Sequence, residues 1–406
     1  MRYSTIISIG DELTAGRVCN TNAVFIAQFV ARYGIVNKKV SMVPDSKEQI
    51  LNTLQDSLNY DLVFVTGGLG PTHDDLTKKA AVDFFSTELV EDADLKAHLK
   101  HYFKDRKIRM SNINSEQALF PENAEIVPNE IGTASGMHFY EKGTHFYFIP
   151  GVPAEMKRML EEHISPELDS QKSAAEIYYE KVRTFGIAES ELYSGLQNWI
   201  TKQNEIKVSF LPQMPGVDIF LESSNRANLN NALEYISNSF DEYIFGFNAD
   251  EPHQILGDYL SENDLTIAVA ESCTGGLIGH SLTNRPGSSD YFLGGVIAYS
   301  NQIKIDMLDV NKNTIAEQGA VSDKTAIEMA VGVRNNFKAD LGLSTTGIAG
   351  PTGGSKTKPV GTVWIGIAGP NEQKARHYIY SKDRLTNKQA FTKFALLNTL
   401  KIIKRG

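Results

Sequence analysis

Residues 266–280 read TIAVAESCTGGLIGH. A short apolar run, Thr266–Ala270, has the make-up of a buried strand. A polar turn and a glycine pair follow, and then apolar residues at helical spacing. Strand, glycine loop, helix is the repeating unit of a doubly wound α/β sheet, in which ligands bind at the carboxyl ends of the strands. The theme recurs at DLVFVTGGLGPTHDDLTKKAAVDFF (61–85) and at HFYFIPGVPAEMKRMLEEHI (145–164), where Pro153 suits a first helical turn. The stretch TNAVFIAQFVARYG (21–34) reads as a helix closed by a glycine, and SKEQILNTLQDSLNY (46–60) as one capped by Ser46.

Working outward, these readings give a fold class of α/β. Two three-layer domains with mainly parallel sheets, 1–170 and 251–406, flank a small α+β module at 175–250. The module has the order β-α-β-β-α-β, with a Pro/Gly turn in its central hairpin. It could pass for an RNA-binding fold, but no glycine pair has GxxG spacing. Its five Lys/Arg against eleven Asp/Glu leave it at −6. The polar stretch NADEPHQ (248–254) reads as a linker into the last domain.

The 406 residues are 41% apolar and 22% charged, the balance of an ordinary soluble protein, and the net charge is −9. An acidic chain without a basic stripe argues against nucleic acid as a partner. Two cysteines, Cys19 and Cys273, make no disulfide framework and fit a reducing cytoplasm. The start, MRYSTIISIGDEL, turns acidic before a signal-peptide core could form, and no stretch has the apolar length of a membrane span.

The densest chemistry lies in the last domain. Helix-start N–H groups at Gly275 and Gly276 could hold an oxyanion or a phosphate, and Ser272 and Thr274 present hydroxyls beside them. No GxSxG elbow accompanies the serine, and His280 is the nearby histidine. In GGVIAYSNQIKIDML (294–308), Tyr299 ends a strand and Lys304 sits one turn into the next helix. A lysine held among apolar walls can serve as a base. Ser289, in NRPGSSDYFLGG, is a further hydroxyl. Thr346, Gly347 and Gly350 open a glycine-rich loop (344–362) that could receive an anion and lacks the Walker pattern. Arg384 could pair with a phosphate. On the residues alone, the stronger readings are Ser272 and Thr274 as helix caps, Cys273 as a packed thiol, Lys304 as a solvated lysine and Arg384 as a surface charge. In the first domain, Gly67, Gly68 and Gly70 form a candidate phosphate turn. Asp74 and Asp75 follow at an expected helix start near Asp74, and Asp11 and Glu12 lie at another strand end. Such acids cap helices, or hold a hard divalent cation.

These motifs resemble those of the CinA (competence/damage-inducible protein A) family over essentially the whole chain. GDELTAG, TGGLGPTHDDLT and IPGVPAEMKRM resemble its molybdopterin-binding-like domain. AESCTGG, PGSSDYFLGGVIAYSNQIK, GAVS and TTGIAGPTGGSKTKPVGTVW resemble its nicotinamide mononucleotide deamidase domain, and the middle module its KH-like connector. The resemblance implies hydrolysis of the carboxamide of nicotinamide mononucleotide to nicotinate mononucleotide and ammonia. It implies Ser272 as nucleophile, Tyr299 and Lys304 as proton-transfer partners, and substrate contacts from Thr274, Gly275, Gly276, Ser289, Thr346, Gly347, Gly350 and Arg384, with no cofactor. For the first domain it implies an ADP-ribose pyrophosphatase using a divalent metal (cobalt, magnesium or manganese) on Asp74, Asp75 and Glu12, with potassium as a helper. It also implies a homodimer in the cytoplasm. The competing reading is a protein that binds a molybdopterin-like ligand, or acts in competence, without catalysis.

Overall fold

The computed structural model describes residues 2–170, 177–214 and 216–404. The expected Pro/Gly turn at 215–216 and the first residues of the 175–250 module fall partly outside them. Two compact units result, one running to Tyr178 with Ser223–Arg226, the other Tyr179–Glu222 with everything from Ala227 onward.

In the first unit, β1 (Arg2–Ile9), β2 (Ile35–Val43) and β3 (Leu62–Thr66) are parallel. β4 (Leu89–Glu91) and β5 (Leu119–Pro121) form a separate antiparallel pair. β6 (Glu125–Val127), β7 (Gly136–Glu141) and β8 (Thr144–Ile149) complete a sheet of order β2-β1-β3-β8-β7-β6. β8 runs parallel to β3, whereas β7 and β6 turn antiparallel. Every residue of β3 is buried, as expected for a strand covered by helices on both faces. Its carboxyl end, with those of β1 and β8, opens one cleft. The helix expected near Asp74 begins at Thr77 instead. The cause is Asp75, whose carboxylate accepts from the N–H of Gly70 (2.9 Å) and of Thr72 (2.8 Å) and so belongs to the loop.

The second unit holds two sheets. β9 (Tyr178–Thr184), β10 (Ile206–Gln213), β11 (Gly216–Ser223) and β12 (Ile244–Phe247) form the expected α+β module with helices Glu189–Ile200 and Arg226–Phe240. β13 (Ile267–Glu271), β14 (Phe292–Ile297), β15 (Leu341–Gly347), β16 (Thr362–Ala368) and β17 (Gln373–Ile379) give the order β14-β13-β15-β16-β17. The first three strands are parallel and the last two antiparallel.

The module packs against the last domain: Phe185 and Phe245 are buried in one core with Leu343, Ile365 and Phe394. The linker 248–254 is fastened to the module. The Arg183 guanidinium donates to the carbonyl of Asp250 and to Glu251 Oε1, and Glu251 caps the helix Pro252–Glu262. No helix among the described residues is long and apolar enough to cross a membrane.

Candidate active sites

The AESCTGG turn follows β13. Its register with β15 continues past the strand end, where the Ser272 N–H donates to the Thr345 carbonyl (2.9 Å). That bond leaves the Ser272 side chain at the mouth of a cleft of about 240 Å³ lined by Cys273, Tyr299, Asn301, Lys304, Ala320, Val321, Thr346, Gly347, Ala349 and Arg384. Because β14 runs parallel to β13, the end of β14 delivers the following helix, Asn301–Leu308, to the same place. Ser300 caps that helix by accepting from the Ile303 N–H. Lys304, one turn in, points back under the serine.

Lys304 is only 1% exposed. Its Nζ donates to Ser272 Oγ (3.0 Å) and to the Ala298 carbonyl (2.7 Å). Burial lowers its pKa to about 8. Among the described residues no carboxylate pairs with it, so the ammonium is costly here and the neutral amine is accessible near neutral pH. Cys273 is buried too, and burial pushes its thiol up to about 12. A thiol so held is a poor source of thiolate. Tyr299 is 61% exposed. Its hydroxyl accepts from Arg384 Nη2 (2.7 Å), and Arg384 Nη1 donates to the Gly350 carbonyl (2.6 Å). Gly350 thus fixes the arginine rather than forming the wall. Arg384 opens the closing helix Arg384–Ile403, whose first N–H groups, those of Leu385 and Thr386, are taken by the Asp383 carboxylate (3.0 and 3.1 Å).

Four sequence expectations are corrected. The helix after the turn starts at Leu277, and its first donors are not free. Buried Glu271, the last residue of β13, accepts from the N–H of Gly276 (2.9 Å), Ile278 (3.1 Å) and Gly279 (2.9 Å). A carboxylate complements a helix start, so the Gly276 N–H is unavailable to an oxyanion. Thr274 is fully buried and its hydroxyl faces that of Thr345 at 2.8 Å, behind the cleft. Thr346, although at the cleft wall, donates its hydroxyl proton to the Ala320 carbonyl (2.6 Å). Ser289 precedes β14, beside the start of β13, where Ile267 pairs with Phe292. It therefore lies at the opposite end of the sheet from Ser272 in the same chain. Sequence reasoning missed Glu271 and Asn301; an acid closing an apolar strand just before a glycine turn was the available signal for the first.

The first unit's cleft, about 510 Å³, is lined by Glu12, Asp45, Asp74, Asp75 and Glu155 together with Gly67, Gly68 and Gly70. The glycines are there for close packing. A Cβ on Gly67 would meet the Ile9 carbonyl oxygen at 2.2 Å, and one on Gly68 would meet Thr77 Oγ1 at 2.2 Å. As phosphate donors, Gly67 and Gly70 are compromised. The Gly67 N–H donates to the Ile149 carbonyl, and that of Gly70 to Asp75. No Lys or Arg is among the lining residues. Asp45, unnoticed in the sequence, exchanges backbone–carboxylate hydrogen bonds with Asp11. Burial raises its pKa, and the charges of Asp11, Glu12 and Asp74 add to the rise. Such mutual repulsion fits a divalent cation, although the oxygens of Glu12, Asp74 and Asp75 do not converge within the 4.8 Å that ligands of one ion need. Gln117 and the Asn22 Oδ1, both at this cleft, are buried without hydrogen-bond partners among the described residues, as expected where a polar ligand completes the site.

Two α/β units, each with a polar cleft at the carboxyl ends of its parallel strands, agree with the families the chain matches. Residues 5–170 match a probable molybdopterin binding domain, and residues 249–403 the CinA C-terminal domain. A CinA-like protein of Cytophaga hutchinsonii is 37% identical, covering 98% of this chain and 97% of its own. One from Salinibacter ruber is 38% identical over 96% and 97%. The crystal structure of the competence/damage inducible protein CihA from Agrobacterium tumefaciens is 35% identical over 37% of this chain and 95% of that chain, with a TM-score of 0.36. The chain belongs to the CinA family.

Proposed function

We propose that the second unit is an amidohydrolase acting on the carboxamide of nicotinamide mononucleotide. The observation that carries this reading is the buried Lys304 amine, without a carboxylate partner among the described residues, on the hydroxyl of Ser272. An uncharged Lys304 accepts the Ser272 proton as Oγ attacks the carboxamide carbon. The ammonium so formed faces the charge that builds on the carbonyl oxygen. Its proton then goes to the departing nitrogen, and ammonia leaves. The nicotinoyl ester on Ser272 is cleared by a water whose proton Lys304 takes, and that proton returns to Oγ. The Arg384 guanidinium is suited to the substrate's phosphate, and Tyr299, held by Arg384, adds a hydroxyl proton at the rim. No cofactor takes part.

For the first unit the reading is a pyrophosphatase of the ADP-ribose type. A phosphoanhydride cannot enter a cleft of acids without a counter-charge. Glu12, Asp45 and Asp74 would have to draw together on a divalent cation, which supplies that charge and polarises the phosphoryl oxygen. Separate incubations with nicotinamide mononucleotide and ADP-ribose, with and without cobalt, magnesium or manganese, test both. The reading expects metal-independent ammonia from the first and metal-dependent AMP from the second. Absence of both products would remove it.

A further inference from the structure

The first unit carries a second polar cluster, which the reactions above do not use. His145 lies near the start of β8, four residues and about 13 Å of strand from the cleft end at Ile149. His138 on β7 is its neighbour, with the rings stacked at 5.2 Å between centroids. Glu167 comes from the helix Ser165–Ser170. One ligand atom from each of His138, His145 and Glu167 lies within 4.8 Å of the others.

We propose that His138, His145 and Glu167 form a binding site for a borderline divalent metal ion, zinc above all, separate from the cleft. The His138 Nε2 and His145 Nδ1 atoms are 2.9 Å apart, and Glu167 Oε1 is 3.7 Å from the latter. Metal–nitrogen bonds near 2 Å at tetrahedral angles place two donors about 3.3 Å apart, so the pair needs to open by only a few tenths of an ångström. The other nitrogen of His138, Nδ1, meets Glu125 Oε2 at 2.8 Å. A carboxylate on the far nitrogen is what metal-bound histidines usually have, because it fixes the tautomer and aims the lone pair. Here it leaves the Nε2 lone pair facing inward. In the metal form His145 carries its proton on Nε2, freeing Nδ1. The Tyr147 ring stacks on His138 at 4.5 Å, and its buried hydroxyl sits beside the Glu167 carboxylate.

Two imidazoles with one carboxylate favour zinc, cobalt, nickel or copper over magnesium or calcium. The ion would tie β7, β8 and the helix Ser165–Ser170 together. The other convergent group, Glu130, Glu162 and His163, differs because Arg158 already pairs with both acids at 2.9 Å.

Zinc chloride titrated into the full chain, with bound metal measured after equilibrium dialysis, tests the site. One equivalent should remain in Glu12→Gln/Asp74→Asn and bind at least tenfold more weakly in His138→Gln and in His145→Gln. Zinc should also raise the melting temperature of the unaltered chain and not of the histidine variants. Should these fail to fold, Glu167→Gln and the exposed Glu125→Gln decide, with about tenfold or greater weakening expected in each. No zinc equivalent in the unaltered chain, or unchanged affinity across the foldable variants, overturns the proposal.

Discussion

Lys304 Nζ stands 3.0 Å from Ser272 Oγ, with the Ala298 carbonyl as its other close partner and no carboxylate to hold its charge. Strand order alone creates the pair: the serine follows β13, and the lysine is one turn past the end of its parallel neighbour β14. Most of what can be tested follows from that contact.

On the proposed mechanism the base is the neutral amine, so the pH profile should follow the lowered lysine pKa of about 8. The kcat/KM for nicotinamide mononucleotide should climb about tenfold per pH unit well below 8 and level off above it. A profile flat from pH 6 to 9 would count against Lys304 as base.

The same shift has a stability consequence. The folded pKa lies below the unfolded value, so between about 8 and 10.5 the unfolded chain binds more protons and folding strengthens as pH rises. Below 8 the folded state carries the full penalty, about 3 kcal/mol for a shift of this size. Lys304→Met removes the linkage. Urea denaturation across this range should therefore show the unaltered protein gaining on the variant by about 3 kcal/mol from pH 8 to 10.5.

Glu271 holds the glycine turn by accepting three backbone N–H bonds. Glu271→Gln places an amide N–H₂ where an acceptor is needed. It should cost about 2–3 kcal/mol of stability in denaturant titration. Turnover should fall as well, because the turn carrying Ser272 loses its anchor.

Arg384 reaches both the Gly350 carbonyl and Tyr299 Oη through its two terminal nitrogens. Arg384→Ala should raise KM by ten- to a hundredfold with a smaller effect on kcat. Arg384→Lys, lacking the fork, should recover little. Equal loss in kcat alone would assign the arginine to chemistry instead.

In the first unit, the adjacent acids should separate. Asp75 is bound into the loop and Asp74 is not buried. Asp75→Ala should lower both melting temperature and ADP-ribose hydrolysis. Asp74→Asn should lower hydrolysis, raise the metal concentration needed, and leave melting unchanged.

The elements were readable where one physical signal dominated. Buried strands such as β3 and β13 are continuous apolar runs, and the glycine turns after them are abrupt, so the α/β units and their cleft ends follow from the chain. What escaped were competitions among hydrogen bonds. Nothing in TGGLGPTHDD says that Asp75 closes the loop and delays the helix to Thr77, or that Glu271 claims the donors of the turn beside Ser272. Ser289 was misplaced because the motif holding it is near Tyr299 in sequence, whereas a strand's length carries them to opposite ends of the sheet. The linker at 248–254 could be read from its polar composition, but its fastening by the buried Arg183 could not.

The most direct test of the account is ammonia release from nicotinamide mononucleotide by the unaltered chain, Ser272→Ala and Cys273→Ala, side by side at pH 8.5. The account predicts turnover in the unaltered chain, a loss of at least a thousandfold in Ser272→Ala, and activity within about tenfold of unaltered in Cys273→Ala. Undiminished turnover in Ser272→Ala, or its abolition only in Cys273→Ala, would contradict it.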